Sequence, residues 1–380
     1  MHHARRVFVT GVGIVSALGN YPGNFWNNLI LGRSAVKQKE GFYVAEIEEE
    51  NNGLRFISFA LKAAELALKD SIFHYSEFDR RRIGVVIGTG LSGINDILMT
   101  IPNNRKISPR FISSILASSP ASEISRRFGF MGPCRSPSTA CTGGLHAIME
   151  GTRLIRDGVC DAVIVGATEA CINNTVLQSF KNAKALCRTR SVPFDKQRNG
   201  FALAEGASVL VLQSESVQEP YCEISGFGEF SEAWHPTAPH PDGIGAENSM
   251  ISALRETKSD VDYVNAHATG TILGDPIELL AFKRIFESLP CISSIKFATG
   301  HLLSASAALE VGACSLAIKN QIIPPNTGLT DPIDESVDFV PRAKAMQIKS
   351  VLVNSFGFGG ICASLLLNAP TFYSFSSSTK

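Results

Sequence analysis

Short β-branched runs punctuate this chain, and helical periodicity fills the intervals between them. Val7-Phe8-Val9-Thr10, Asp161-Ala162-Val163-Ile164-Val165-Gly166, Val261-Asp262-Tyr263-Val264-Asn265-Ala266 and Ser350-Val351-Leu352-Val353-Asn354 are short, strongly apolar and flanked by polar or Gly positions, which predicts buried strands. Leu145 to Asp157 places Leu145, Ile148, Met149 and Ile155 on one face, with Gly158 as a stop signal, and predicts an amphipathic helix. Ala298 to Ile318 is the longest small-apolar stretch. It contains His301, Glu310 and several Ser and Gly, so it predicts a buried helix and not a membrane span. Strand and helix signals that alternate in this way predict an α/β architecture with covered sheets.

The pattern also repeats. Val7-Phe8-Val9-Thr10-Gly11-Val12-Gly13 is echoed by Cys222-Glu223-Ile224-Ser225-Gly226-Phe227-Gly228, each an apolar strand that enters a Gly turn. The helix after Cys141 has a counterpart after His301, and the run 161–166 has its counterpart at 350–354. The polar segment from Gln213 to Pro220 interrupts the pattern and divides the chain into halves 1–219 and 220–370, while the Ser-rich 371–380 predicts a frayed tail.

Composition narrows the function. The 380 residues are 44% hydrophobic and 18% charged, enough to bury a large core. Lys plus Arg and Asp plus Glu both number 35, so no net field draws the chain to nucleic acid. The nine cysteines form no CxxC pair and read as reduced thiols of an intracellular compartment, cytoplasm or mitochondrion. Met1 to Arg6 leaves no room for a signal segment before the first strand. Gly11-Val12-Gly13 fails as a dinucleotide motif because Ser16 stands where the third Gly belongs. His235 and His240 lack a third ligand at metal-binding spacing, so no metal is expected.

Three residues carry candidate chemistry. Cys141, in Ser138-Thr139-Ala140-Cys141-Thr142-Gly143-Gly144, falls at a predicted helix start, where free N–H groups and the helix dipole favour a thiolate and lower the thiol pKa. His267 and His301 each stand in a Gly/Thr-rich turn beside an apolar run. A lone histidine is more often structural, but two of them with a helix-start cysteine fit an acyl-transfer site.

The segments Thr139-Ala140-Cys141, Asn265 to Thr271, Lys296 to Glu310 and Asn354-Ser355-Phe356-Gly357-Phe358-Gly359-Gly360 together resemble the elongating beta-ketoacyl-acyl-carrier-protein synthases of the thiolase superfamily. Further matches are Val9 to Gly13, Gly84 to Gly90 and Pro193 to Phe201. Departures are Ile361 and Cys362 in place of a Thr-Asn pair, Ile295 and Phe297 around Lys296, and Ala204 and Ser208 in place of glycines near Glu205.

The resemblance implies a thiolase-like fold, duplicated α/β halves in a five-layered α-β-α-β-α arrangement, usually a homodimer. It implies decarboxylative Claisen condensation of an acyl thioester on Cys141 with malonyl-acyl carrier protein. No cofactor is expected beyond the phosphopantetheine that carries the substrates, and the expected partner is acyl carrier protein. His267 and His301 are then donors to the malonyl carbonyl, and Lys296 and Glu310 tune them. The N–H groups of Cys141 and Phe358 form an oxyanion hole, Phe358 gates the cysteine within Gly357-Phe358-Gly359-Gly360, and Thr269 and Thr271, with Gly357 and Gly359, hold pantetheine. Taken without Cys141 and the two histidines, Lys296, Glu310 and Phe358 fit better as an exposed helix-start charge, a partner for any buried cation and a core aromatic. Two alternative functions stand beside the first: a weak or partner-type ketosynthase of a specialised pathway, and a coenzyme A-dependent thiolase-like acyltransferase. A silent partner normally lacks the cysteine that is present here.

Overall fold

The computed structural model describes residues 5–48, 54–71, 73–100, 107–214, 219–255 and 260–370. The expected frayed tail, 371–380, and residues 215–218 of the polar break lie outside the described residues. Ten strands build the main sheet: β1 (Phe8–Ser16), β2 (Ile83–Gly88), β3 (Cys134–Arg135), β4 (Ala162–Glu169), β5 (Gly206–Gln213), β6 (Cys222–Ser231), β7 (Tyr263–Asn265), β8 (Cys291–Ser293), β9 (Ser350–Gly357) and β10 (Ile361–Asn368). Their spatial order is β8-β7-β9-β10-β6-β1-β5-β4-β2-β3. Outward from the centre, each side runs through the first, fifth, fourth, second and third strand of its own half. Directions repeat as well: β4-β2-β3 and β9-β7-β8 are parallel, whereas β1-β5-β4 and β6-β10-β9 are antiparallel. The two half-sheets join through Val9 opposite Cys222 and Phe8 opposite Glu223.

Six helices complete the layers: α1 (Arg55–Asp70), α2 (Ser119–Phe128), α3 (Gly143–Arg156), α4 (Ile244–Leu254), α5 (Gly274–Ile285) and α6 (Ser304–Asn320). α1 and α2 cover the outer face of the first half-sheet, α4 and α5 cover that of the second, and α3 and α6 lie between the two. The result is the α-β-α-β-α layering, with β4 and β9, and α3 and α6, in equivalent places. A central apolar core packs around α3 and α6, and separate cores lie under the α1–α2 and α4–α5 pairs. Every residue of α6 from Ser304 to Ile318 is buried, and each buried Leu, Ile or Val there contributes about 1.5–3 kcal/mol.

Two expectations need correction. Gly11, Gly13, Gly226 and Gly228 do not turn the chain; they lie inside β1 and β6. A Cβ on Gly13 would overlap the Ala63 carbonyl of α1, and one on Gly228 the Ser249 carbonyl of α4. These glycines let a helix backbone rest directly on the strand. The stretch Ala298 to Ile318 is not one helix either. A short helix, Lys296–Thr299, ends at Gly300, and α6 begins at Ser304. His301 lies in the break between them.

Candidate active site

Cys141 sits in a single 3₁₀ turn, Ala140–Thr142, that leads into α3. The turn is entered through Ala140 at φ +50°, left-handed backbone that a non-glycine residue adopts only when its surroundings hold it there. The clamps are visible. Thr142 Oγ1 donates to the Thr139 carbonyl at 2.6 Å, Ser355 Oγ of β9 donates to the Cys141 carbonyl at 3.0 Å, and Thr139 Oγ1 lies 2.7 Å from His146 Nδ1. Gly357 packs behind the turn, where a Cβ would stand 3.2 Å from the Cys141 nitrogen.

His301 is presented by the loop between the short helix and α6. Its N–H donates to the Ala202 carbonyl and its carbonyl accepts from Ala204 N–H, at 2.8 and 2.9 Å, and Leu303 beyond it is held at φ +49°. The Nε2 atom lies 3.2 Å from Cys141 Sγ, and Nδ1 lies 3.0 Å from Ser306 Oγ, which also accepts Leu302 N–H at 2.7 Å. α3 and α6 meet at their N-terminal ends, with Ser304 against Gly143. Sulfur and imidazole are therefore brought together by two helix starts.

His267 completes the group from the end of β7. Its N–H and that of Ala268 donate to the Glu278 carboxylate of α5 at 2.9 and 2.8 Å, and Asn354 Nδ2 donates to the same carboxylate at 3.1 Å. The His267 and His301 rings are 5.5 Å apart and near perpendicular. Lys296 Nζ donates to Glu310, both fully buried, so neither is a surface charge. Phe358 is exposed, 6.2 Å from the Phe180 ring, and not a core aromatic; Gly359 and Gly360 beside it have φ of +89° and +71°. Thr269 Oγ1 donates to Thr271 Oγ1 at 3.4 Å, and the latter accepts Gly274 N–H at 3.2 Å. Both threonines thus serve the turn that leads into α5.

The electrostatics depart from expectation in one respect. Burial holds His267 and His301 well below the usual imidazole range, and the Lys296 charge pushes the same way, so both are neutral at neutral pH. Burial also pushes the Cys141 thiol up to about 12, against the pull of Lys296 and of the Phe358 and Cys141 N–H groups, with Glu169 adding to the rise. The helix start was expected to lower that pKa; desolvation by the surrounding core outweighs it. The cysteine rests as a thiol.

Sequence reasoning missed Glu278, Ser306, Ser355 and Glu169. Glu169 ends the apolar β4 and accepts N–H donors from Gly90 and, at 3.3 Å, Leu91. Burial lifts it to about 7. Its signal was a lone acid closing an otherwise apolar strand; that of Glu278 was an acid two residues beyond Gly274-Asp275-Pro276. Cys141 also belongs to an apolar cluster with Phe201, Leu203, Leu303, Val176, Leu177 and Phe180, a surface suited to an acyl chain.

A thiol and two neutral imidazoles at the meeting of two helix starts, on a duplicated five-layered α/β scaffold, define a condensing-type acyltransferase. Residues 48–218 match the family model "Beta-ketoacyl synthase, N-terminal domain" and residues 221–330 match "Beta-ketoacyl synthase, C-terminal domain", and the chain belongs to the beta-ketoacyl synthase family. It is 36% identical to 3-oxoacyl-[acyl-carrier-protein] synthase 2 of Coxiella burnetii over 96% of this chain and 98% of that protein. It is also 36% identical to a putative mitochondrial 3-oxoacyl-[acyl-carrier-protein] synthase of Schizosaccharomyces pombe, over 95% of this chain and 98% of that one. Among solved structures, a ketosynthase in complex with its type II polyketide acyl-carrier protein superposes with a TM-score of 0.90 at 29% identity, over 97% of this chain and 100% of that one. A beta-ketoacyl synthase from Burkholderia phymatum STM815 gives 0.87 at 26%, with the same coverage. Among the described residues, no helix is long and apolar enough to cross a membrane.

Proposed function

We propose that this chain condenses an acyl group carried on Cys141 with malonyl-acyl carrier protein, releasing carbon dioxide and 3-oxoacyl-acyl carrier protein, as a step of fatty acid chain elongation. The observation that carries the reading is the placement of His301 Nε2 at 3.2 Å from Cys141 Sγ with His267 beside it. In acyl transfer the sulfur attacks the thioester carbonyl, its proton passes by way of His301, and the carrier thiol leaves with a proton. The Cys141 and Phe358 N–H groups, both directed at the sulfur, lie where the tetrahedral oxyanion forms. In condensation the neutral imidazoles donate to the malonyl carbonyl while carbon dioxide leaves and an enolate develops, each donor worth about 2.7–4 kcal/mol. The enolate carbon then attacks the acyl carbonyl and the Cys141 sulfur departs.

The Lys296–Glu310 pair keeps a cation beside the imidazoles, which favours their neutral form. Phe358, exposed between glycines, gates the cysteine, and the hydroxyls of Thr269 and Thr271 line the approach of the phosphopantetheine arm. Acyl carrier protein is the partner, a homodimer the assembly, and the reaction needs no further cofactor. A second reading, condensation in a polyketide pathway, is supported by the fold likeness to the polyketide ketosynthase and by 32% identity to a putative polyketide beta-ketoacyl synthase of Streptomyces halstedii. Incubation with malonyl- and acyl-carrier protein thioesters of several lengths, followed by mass spectrometry, tests both. The expected result is acylation at Cys141 and a product longer by two carbons, released in one round. Repeated extension without release favours the polyketide reading, and acylation at any other cysteine overturns the assignment.

A further inference from the structure

We propose that Cys141, His267 and His301 also form a binding site for a soft divalent cation of the Zn²⁺ class, open only while the Cys141 sulfur carries no acyl group. The donor atoms of the three side chains all lie within 4.8 Å of one another, and the closest pair, Sγ and Nε2, is 3.2 Å apart. A tetrahedral Zn²⁺ with bonds of about 2.3 Å to sulfur and about 2.0–2.1 Å to nitrogen needs its donors roughly 3.5 Å apart. The existing arrangement reaches that spacing with side-chain movements of about an ångström. One sulfur and two imidazole nitrogens, with a fourth position left to water, match what a borderline-soft ion selects and what Mg²⁺ or Ca²⁺ does not. Among the described residues this is the one cluster of three His, Cys, Asp or Glu donors so close together.

The surroundings favour the ion as well. Ser306 Oγ, beside His301 Nδ1, accepts the N–H of the tautomer whose Nε2 lone pair faces the sulfur, the outer-shell contact that orients a metal-bound histidine. The ion takes the place of the thiol proton, which leaves to solvent. Lys296 opposes the ion, and its pairing with Glu310 offsets that repulsion in part. Cys141 and His267 are only half-buried, which gives the ion a way in.

Acylation and metal binding then compete for one sulfur. The first half of this statement rests on Cys141 as the acylated residue; the binding itself rests on geometry alone, and the two are separated by measuring binding on protein alkylated with iodoacetamide. The full chain is titrated with Zn²⁺ by calorimetry and with Co²⁺ by absorption, which reads a thiolate-to-metal charge-transfer band. One ion per chain is expected, with that band, and Zn²⁺ should slow alkylation of Cys141 until a chelator is added, whereas Mg²⁺ should not. Binding should vanish in Cys141→Ala and in wild type alkylated at Cys141, weaken at least about ten-fold in His267→Ala and His301→Ala, and persist in Cys134→Ser. The proposal is overturned if wild type binds no Zn²⁺, if the alkylated protein binds as well as the free one, or if Cys134→Ser is the variant that loses the ion.

Discussion

The two halves of the molecule share strand order, strand direction and layer, yet they bring opposite chemistry to the line where they meet. In the first half, the turn before α3 carries a left-handed Ala140 and then Cys141; in the second, the turn before α6 carries His301 and a left-handed Leu303. The strand ends diverge too. β4 ends in the buried acid Glu169, whereas the equivalent β9 ends in Gly357 against the cysteine. A shared scaffold thus fixes where reactive groups can stand, and divergence at the helix starts decides which groups they are. Cys141 comes from one half, and both imidazoles and the lysine from the other.

The most severe way to break the comparison is Cys141→Ser. Acylation should fall to background by mass spectrometry while the far-UV spectrum stays unchanged, because a hydroxyl at this position has no form comparable to a thiolate. His267→Ala and His301→Ala sharpen it from the other side. Each should slow carbon dioxide release from malonyl-carrier protein at least about ten-fold, but only His301→Ala should also alter alkylation of Cys141, since of the two histidines it is His301 that is hydrogen-bonded to the sulfur. Gly13→Val and Gly228→Val test whether the scaffold halves are equivalent. Each forces a side chain into a helix backbone and should lower the unfolding free energy measured in urea by a similar amount, on the order of 1–3 kcal/mol or more; a tolerated change in one half alone would break the equivalence.

Smaller effects follow from groups beside the cysteine. Phe358→Ala keeps the backbone N–H and should leave the thermal midpoint nearly unchanged while it shifts the relative rates with long and short acyl donors. Glu169 is lifted by burial to about 7, so between about pH 4.3, its usual value, and pH 7 the unfolded chain binds fewer protons than the folded one. Stability then falls as pH rises through that window. Glu169→Gln should therefore gain thermal midpoint relative to wild type at pH 8 but not at pH 5. Removing a charge that opposes the thiolate should also move the pH profile of Cys141 alkylation downward.

Much of this was legible in the sequence because it is local. β-branched runs marked β4 and β9, the 3.6-residue spacing marked α3, and residue type singled out Cys141, His267 and His301. What was missed depends on approach from a distance. Gly13 looked like a turn because nothing near it in sequence announces that Ala63 lies on top of it. Glu278 and Ser306 act on backbone N–H groups and a ring nitrogen, contacts that carry no motif. The thiol pKa was misjudged because a helix start is visible in sequence, whereas the depth of the core around it is a property of the whole fold.

The continuous burial of α6 bears on how the chain is made. The face of α3 that α6 covers emerges from the ribosome with the first half, and its cover lies some way into the second. At translation rates of roughly 5–20 residues per second, the partner helix follows α3 by about ten to thirty seconds. During that interval the nascent first half exposes an apolar surface that only its own unsynthesised sequence can bury, and a chaperone that shields this one face would act before the chain has any activity to protect.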